Sequence, residues 1–150
     1  MLAYNIDTTL SLRQISKQIE LRKAPQHPIK EIFKLQLIDQ HTIAVNIDSD
    51  TEFELDDAKR VYSAIEAEAN ERKLYHLIIF GDRTVPTREA RQFCMSKEGS
   101  VNKLAEAIVA SSLAQKMVFD FMINVERPIV RTKLFTSEIE ALAWLQSLQN

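Results

Sequence analysis

Leu104-Ala105-Glu106-Ala107-Ile108-Val109-Ala110, followed directly by Ser111-Ser112, is the stretch on which the fold turns. Leu, Ala and Glu are strong helix formers, so propensity alone favours a helix here. Ser111-Ser112, however, give an N-cap signal, and a long helical pattern begins right after them. The apolar run ahead of that cap therefore reads as a strand over 105–110. With a strand in this place, the second half of the chain becomes an alternation of strands and helices.

Working outward, Leu74 to Phe80 is nearly all apolar, as in a central strand covered on both faces. Pro86 and Thr87 open a helix that runs to about Glu98, with Ala90, Phe93, Cys94 and the stem of Lys97 on its apolar stripe. A helix over about 112–124 carries Leu113, Met117, Phe121 and Met122, and Pro128 breaks the chain after it. Arg131 to Phe135 is a short strand. Thr136 or Ser137 caps a last helix, with Glu140 placed for a capping box from Ser137 and a wide apolar face of Ala141, Leu142, Trp144, Leu145 and Leu148. Toward the N-terminus, a helix over about 54–71 buries Ala58, Val61, Ile65 and Ala69 and places Asp56 and Asp57 in its first turn, where the helix dipole favours acids. Residues 32–38 and 42–47 alternate with a period of two, and Asp39-Gln40-His41 between them fits an antiparallel hairpin.

Pro25-Gln26-His27-Pro28 breaks regular structure and separates an N-terminal helical segment and linker, residues 1–30, from a domain over 31–150. In that segment Leu12, Ile15 and Ile19 recur at helical spacing, and Ser11 with Gln14 fits a capping box, which predicts an extra amphipathic helix over 11–23. The prediction is an α/β fold: a mixed sheet of about five strands with an N-terminal antiparallel hairpin, parallel in its second half, and helices on the sheet.

The 150 residues carry 19 Lys+Arg against 21 Asp+Glu, a net charge of -2, so nothing draws the chain as a whole to nucleic acid or anionic lipid. Its two glycines, Gly81 and Gly99, cannot write a phosphate-binding glycine loop. The single cysteine excludes an internal disulfide, and neither it nor His27 and His41 make a metal-ligand spacing; no metal and no cofactor is expected. No run approaches the roughly 18 apolar residues of a membrane span, and no basic region precedes an apolar stretch at the start, so the expected location is the cytoplasm.

The residues carry a resemblance. Lys73 to Asp82, Thr87 to Phe93, Ala105 to Val109 with Ser111-Ser112-Leu113, and above all Pro128 to Thr136 continuing to Ala141-Leu142-Ala143-Trp144-Leu145, resemble the SpoIIAA-like, or STAS/SEC14-type, domain of many bacterial proteins of unknown role. The likeness covers roughly residues 31–150. It implies a mixed α/β sheet. STAS domains are binding modules, some of them anti-sigma-factor antagonists switched by phosphorylation of a Ser in an Asp-Ser-x-Gly motif at a helix start. Here Gly81-Asp82 is followed by Arg83-Thr84-Val85-Pro86-Thr87, so Thr87 stands near the helix start without the Asp-Ser pair and without the Gly. SEC14-like relatives imply instead a pocket for a lipid or small ligand.

In an open α/β sheet ligands bind beyond the carboxyl ends of parallel strands. Three such ends lead into helix starts, and Asp82, Arg83, Thr84, Thr87, Arg88, Ser111, Ser112 and Thr136 form the expected binding rim. Free backbone N–H groups there suit an anion, a phosphate or a partner carboxylate, or else the hydroxyls are plain N-caps. Thr87 and Thr84 are the expected phospho-acceptors; Phe93, Met117 and Phe121 are the expected lining of an apolar pocket. His76 interrupts an apolar strand and Cys94 falls on an apolar stripe; both read as packed side chains rather than as base or nucleophile. No nucleophile–base pair is legible, so no catalytic residue is expected. The expected role is a non-enzymatic regulatory or protein-interaction module, with a protein partner or a second copy of the chain. The alternative is a carrier of a small apolar or anionic ligand.

Overall fold

The computed structural model describes residues 11–23 and 31–149. The chain divides into two units, Met1–Lys30 and Glu31–Asn150. In the first, α1 (Leu12–Lys23) starts at a reciprocal cap: Gln14 N–H donates to Ser11 Oγ at 3.2 Å and Ser11 N–H donates to Gln14 Oε1 at 2.9 Å. The prolines that mark the expected boundary, Pro25 and Pro28, lie outside the described residues.

The second unit runs β1 (Phe33–Leu37), β2 (Thr42–Ile47), β3 (Glu52–Phe53), α2 (Leu55–Ala69), β4 (Leu74–Phe80), β5 (Val85–Pro86), α3 (Arg88–Met95), α4 (Lys97–Ser100), β6 (Lys103–Val109), α5 (Leu113–Phe121), a π-helical turn (Met122–Glu126), β7 (Thr132–Phe135) and α6 (Glu138–Ser147). Five strands form one sheet in the order β1-β2-β4-β6-β7. The β1–β2 hairpin is antiparallel and every other neighbour pair is parallel, as expected for helical crossovers between β2, β4, β6 and β7. A second, two-stranded sheet joins Glu52-Phe53 to Val85-Pro86 and was not foreseen, because two residues show no periodicity.

Side-chain alternation splits the core across the sheet. Ile43, Val45, Ile47, Leu74, Ile78, Phe80 and Ile108 pack with residues of α2, α3 and α5 on one face. Ala44, Leu77, Ala105, Ala107 and Val109 pack with Ala141 and Leu145 of α6 on the other. The alanines let α6 lie close to the sheet.

Three expectations change. The strand expected over 105–110 is β6, Lys103–Val109. The helix drawn to Glu98 stops at Met95, because Ser96 turns extended and caps α4, accepting from Gly99 N–H at 3.2 Å. Most consequential is the rotation of α5: Leu113, Met117 and Phe121 of the expected apolar stripe face outward, and only its Met122 is buried, together with Gln115 and Phe119.

Gly81 follows β4 where its backbone touches the loop after β2. A Cβ there would sit 2.4 Å from Ser49 N and 2.7 Å from the Asp48 carbonyl carbon. Gly81→Ala is therefore expected to cost about 2 kcal/mol or more, since main chain must move. Urea unfolding checks this, and an unchanged midpoint would contradict the close approach.

Candidate functional site

The carboxyl ends of β4, β6 and β7 lie at one edge of the parallel sheet, and several main-chain donors there are already engaged. Gln115 is fully buried and organises it. Its Oε1 accepts from Ser111 N–H at 3.1 Å and Ser112 N–H at 3.2 Å, and its Nε2 donates to the carbonyls of Gly81 at 2.7 Å and Thr84 at 2.9 Å. Ser112 Oγ returns a cap to Gln115 N–H at 3.1 Å. The N–H groups of Ser111 and Ser112, just ahead of α5, are thus taken by an internal amide.

The other rim residues follow the same logic. Thr84, an expected phospho-acceptor, is fully buried; its hydroxyl donates to the Asp48 carbonyl at 2.5 Å and accepts from Thr51 N–H at 3.2 Å. No kinase reaches such a group in the folded chain, which corrects that expectation. Thr87 caps α3, accepting from Ala90 N–H at 3.2 Å, and Arg88 is exposed in the first turn. Asp82 is exposed and accepts from Ser111 Oγ at 3.1 Å. Arg83 turns to Asp50 in a bidentate pair, and its hydrogen bond holds the Asp50 carboxyl below its ordinary range. Thr136 is exposed, and the cap of α6 falls on Ser137, which accepts from Glu140 N–H at 3.4 Å. With Asp48, Asp50 and Asp82 exposed together at the ends of β2 and β4, this edge offers acids rather than free cationic donors.

The expected apolar pocket also comes apart. Phe93 lines an interior chamber, whereas Met117 and Phe121 are 64% and 50% exposed and border a shallow depression with Arg91 and Val118. The chamber lies between the sheet and α2, α3 and α5. At about 60 Å³ it has room for about two water molecules, far below the roughly 300–1,000 Å³ of a typical ligand pocket.

A polar group in its wall is the feature missed in the sequence. Lys103 and Glu106 lie three apart in a strand, a spacing that normally sends side chains to opposite faces. Here the register steps from Leu74–Lys103 to Tyr75–Ala105, leaving Leu104 as the extra residue of a bulge. Both charges therefore point into the core, with Lys103 Nζ 2.8 Å from Glu106 Oε2 and donating to the Cys94 carbonyl at 2.9 Å. The second bond satisfies a carbonyl at the end of α3. Burial is the largest influence and opposes the Lys103 charge, but attraction to Glu106 and Cys94 together with the Glu106 hydrogen bond prevails and the Lys103 pKa is raised. His76 Nδ1 stands 3.9 Å from Glu106 Oε2, and neither ring nitrogen has a hydrogen-bond partner among the described residues. Burial first, then the Lys103 charge, lowers His76 to about 4, so it is neutral at pH 7. Burial pushes the Cys94 thiol up to about 11, which makes it a poor nucleophile. Among the described residues no three metal-ligating side chains converge.

With this geometry in view, comparison with known proteins is informative about family and fold. The family model for the domain of unknown function DUF7793 matches residues 37–149. The chain belongs to this family. A crystal structure of an uncharacterized DUF3478-family protein with a SpoIIAA-like fold, from Shewanella loihica PV-4, aligns with a TM-score of 0.53 over 75% of this chain and 91% of that one. At 13% identity the likeness establishes the SpoIIAA-like fold of this DUF7793 domain. No curated protein matches the chain.

The buried imidazole gives the DUF7793 domain a testable pH signature. Between the unfolded value of 6.5 and the folded value of about 4, the unfolded chain binds a proton that folded His76 refuses. Stability is then fully present above pH 6.5 and falls as the pH drops through that window, by about 3 kcal/mol. Wild type is expected to lose this amount over and above His76→Leu in urea unfolding across the window. Equal losses would place His76 in contact with water.

Proposed function

We propose that this chain is a non-enzymatic protein-interaction module whose contact surface is the outward face of α5 and the π-helical turn. One observation carries the reading. Leu113, Met117, Phe121 and Val125 recur every four residues and are 75%, 64%, 50% and 62% exposed. Single exposed apolar side chains are ordinary, but a contiguous line of them marks a contact site. α5 is not a loose element, since Gln115 pins its first turn and Phe119 is buried beneath it.

Two further observations favour binding over catalysis. The rim hydroxyls of Thr84, Thr87, Ser111 and Ser112 all hold structural hydrogen bonds, or accept them as caps. His76, the one buried imidazole among the described residues, faces a chamber with no activated nucleophile beside it. The carrier reading finds little room in a chamber of about 60 Å³. No described helix is long and apolar enough to cross a membrane.

Because the line is exposed, replacing Leu113 and Met117 together by serine is expected to leave the unfolding free energy within about 1 kcal/mol of wild type. The same variant is expected to lose the assembly that native mass spectrometry detects for the chain at its natural abundance. A loss of several kcal/mol would make the line part of the core. An unchanged assembly state, or a wild-type chain found alone, would count against the module.

A further inference from the structure

We propose that the occupant of this surface is a second copy of the chain, with the two α5 helices packed antiparallel across a two-fold axis at the level of Val118 and Phe119. The inference rests on the interaction-module reading and names its partner. A two-fold interface uses one patch twice, so the patch must complement itself. The line Leu113–Met117–Phe121–Val125 does so in apolar terms. Antiparallel pairing sets Met117 beside Phe121 of the second copy, and Leu113 beside its Val125. The contact would extend over about 20 Å of helix at 1.5 Å per residue.

The charges select the direction. Lys116 and Asp120 lie one turn apart on the same flank of the line, and neither makes an ion pair among the described residues. In the antiparallel arrangement each Lys116 meets Asp120 of the other copy, and this happens twice. A parallel arrangement would carry this flank to opposite sides of the contact, leaving Lys116 and Asp120 without each other as charge partners. The depression bordered by Arg91, Met117, Val118 and Phe121 lies beside the ridge of exposed side chains. A ridge with a groove alongside is what two copies of one helix need in order to interdigitate. Two helix faces of this length make a contact at the small end of specific interfaces, so a micromolar dissociation constant is expected.

Sedimentation equilibrium of the full chain, from low to several hundred micromolar, tests the proposal. The expected mass rises from 17.3 kDa toward twice that value. Lys116→Glu alone and Asp120→Lys alone each put two like-charge contacts into the interface and are expected to weaken pairing about fivefold to tenfold. The double swap Lys116→Glu with Asp120→Lys is expected to restore it, with circular dichroism confirming the same fold throughout. A monomer at every concentration overturns the proposal, and so does a dimer indifferent to the charge swap. A photo-crosslinker at position 117, activated in the chain's own cells, separates this failure from that of the broader reading. A crosslink at twice the chain's mass supports the second copy. A crosslink to a different mass overturns the second copy while retaining the contact surface, and no crosslink overturns both.

Discussion

Gln115 fixes the rotation of α5, and much else follows from it. An amide that accepts two N–H bonds and donates to two carbonyls must face the interior, because buried main-chain groups left unpaired are costly. The loop after β4 brings its Gly81 and Thr84 carbonyls to Gln115, and Gly81 also accepts from Thr84 N–H at 3.2 Å. Once that side chain points inward, the helical period sends Leu113, Met117 and Phe121 outward. The exposed line is therefore a consequence of satisfying the loops, and its persistence as an apolar line is what needs a functional explanation.

The same constraint changes the character of the rim. Helix starts at strand ends are ready anion sites only while their N–H groups are free. Around the start of α5 the N–H groups of Ser111, Ser112 and Gln115 take internal partners, the N–H of Thr87, the cap of α3, is spent on the Phe53 carbonyl at 2.9 Å, and three aspartates stand exposed nearby. On the opposite length of the sheet, the bulge at Leu104 gathers Lys103 and Glu106 beneath α3. Such a pair gains little over apolar residues of the same size, but removing one partner would strand the other in the core. Its clear structural product is to tie β6 to the last carbonyls of α3.

Much of the fold was legible. The alternation at Phe33–Leu37 and Thr42–Ile47, the Ser111-Ser112 cap and the apolar run at 74–80 gave the hairpin and the later strands in their order along the chain. These signals are local, each set by one residue's neighbours along the chain. The site was less legible because its determinants are not local. Leu113, Met117 and Phe121 have the spacing of a core stripe, and the sequence does not say which face of a helix meets the sheet when a glutamine on the other face has long-range carbonyl partners. The Lys103–Glu106 pair depends on a register slip that no strand pattern displays. His76 in an apolar strand was the available hint: register pairs it with Glu106, a second charged residue in an alanine-rich strand.

On the proposed reading, Gln115 and Phe119 fix α5 so that its apolar face meets a second copy. Methyl NMR on dilution reads this most directly, residue by residue in the unmodified chain. The account predicts concentration-dependent shifts at Leu113, Met117 and Val125, with the methyls of Ile43, Val45 and Leu145 in the two core layers unmoved. Spectra that do not change with concentration, or changes centred away from α5, would contradict it.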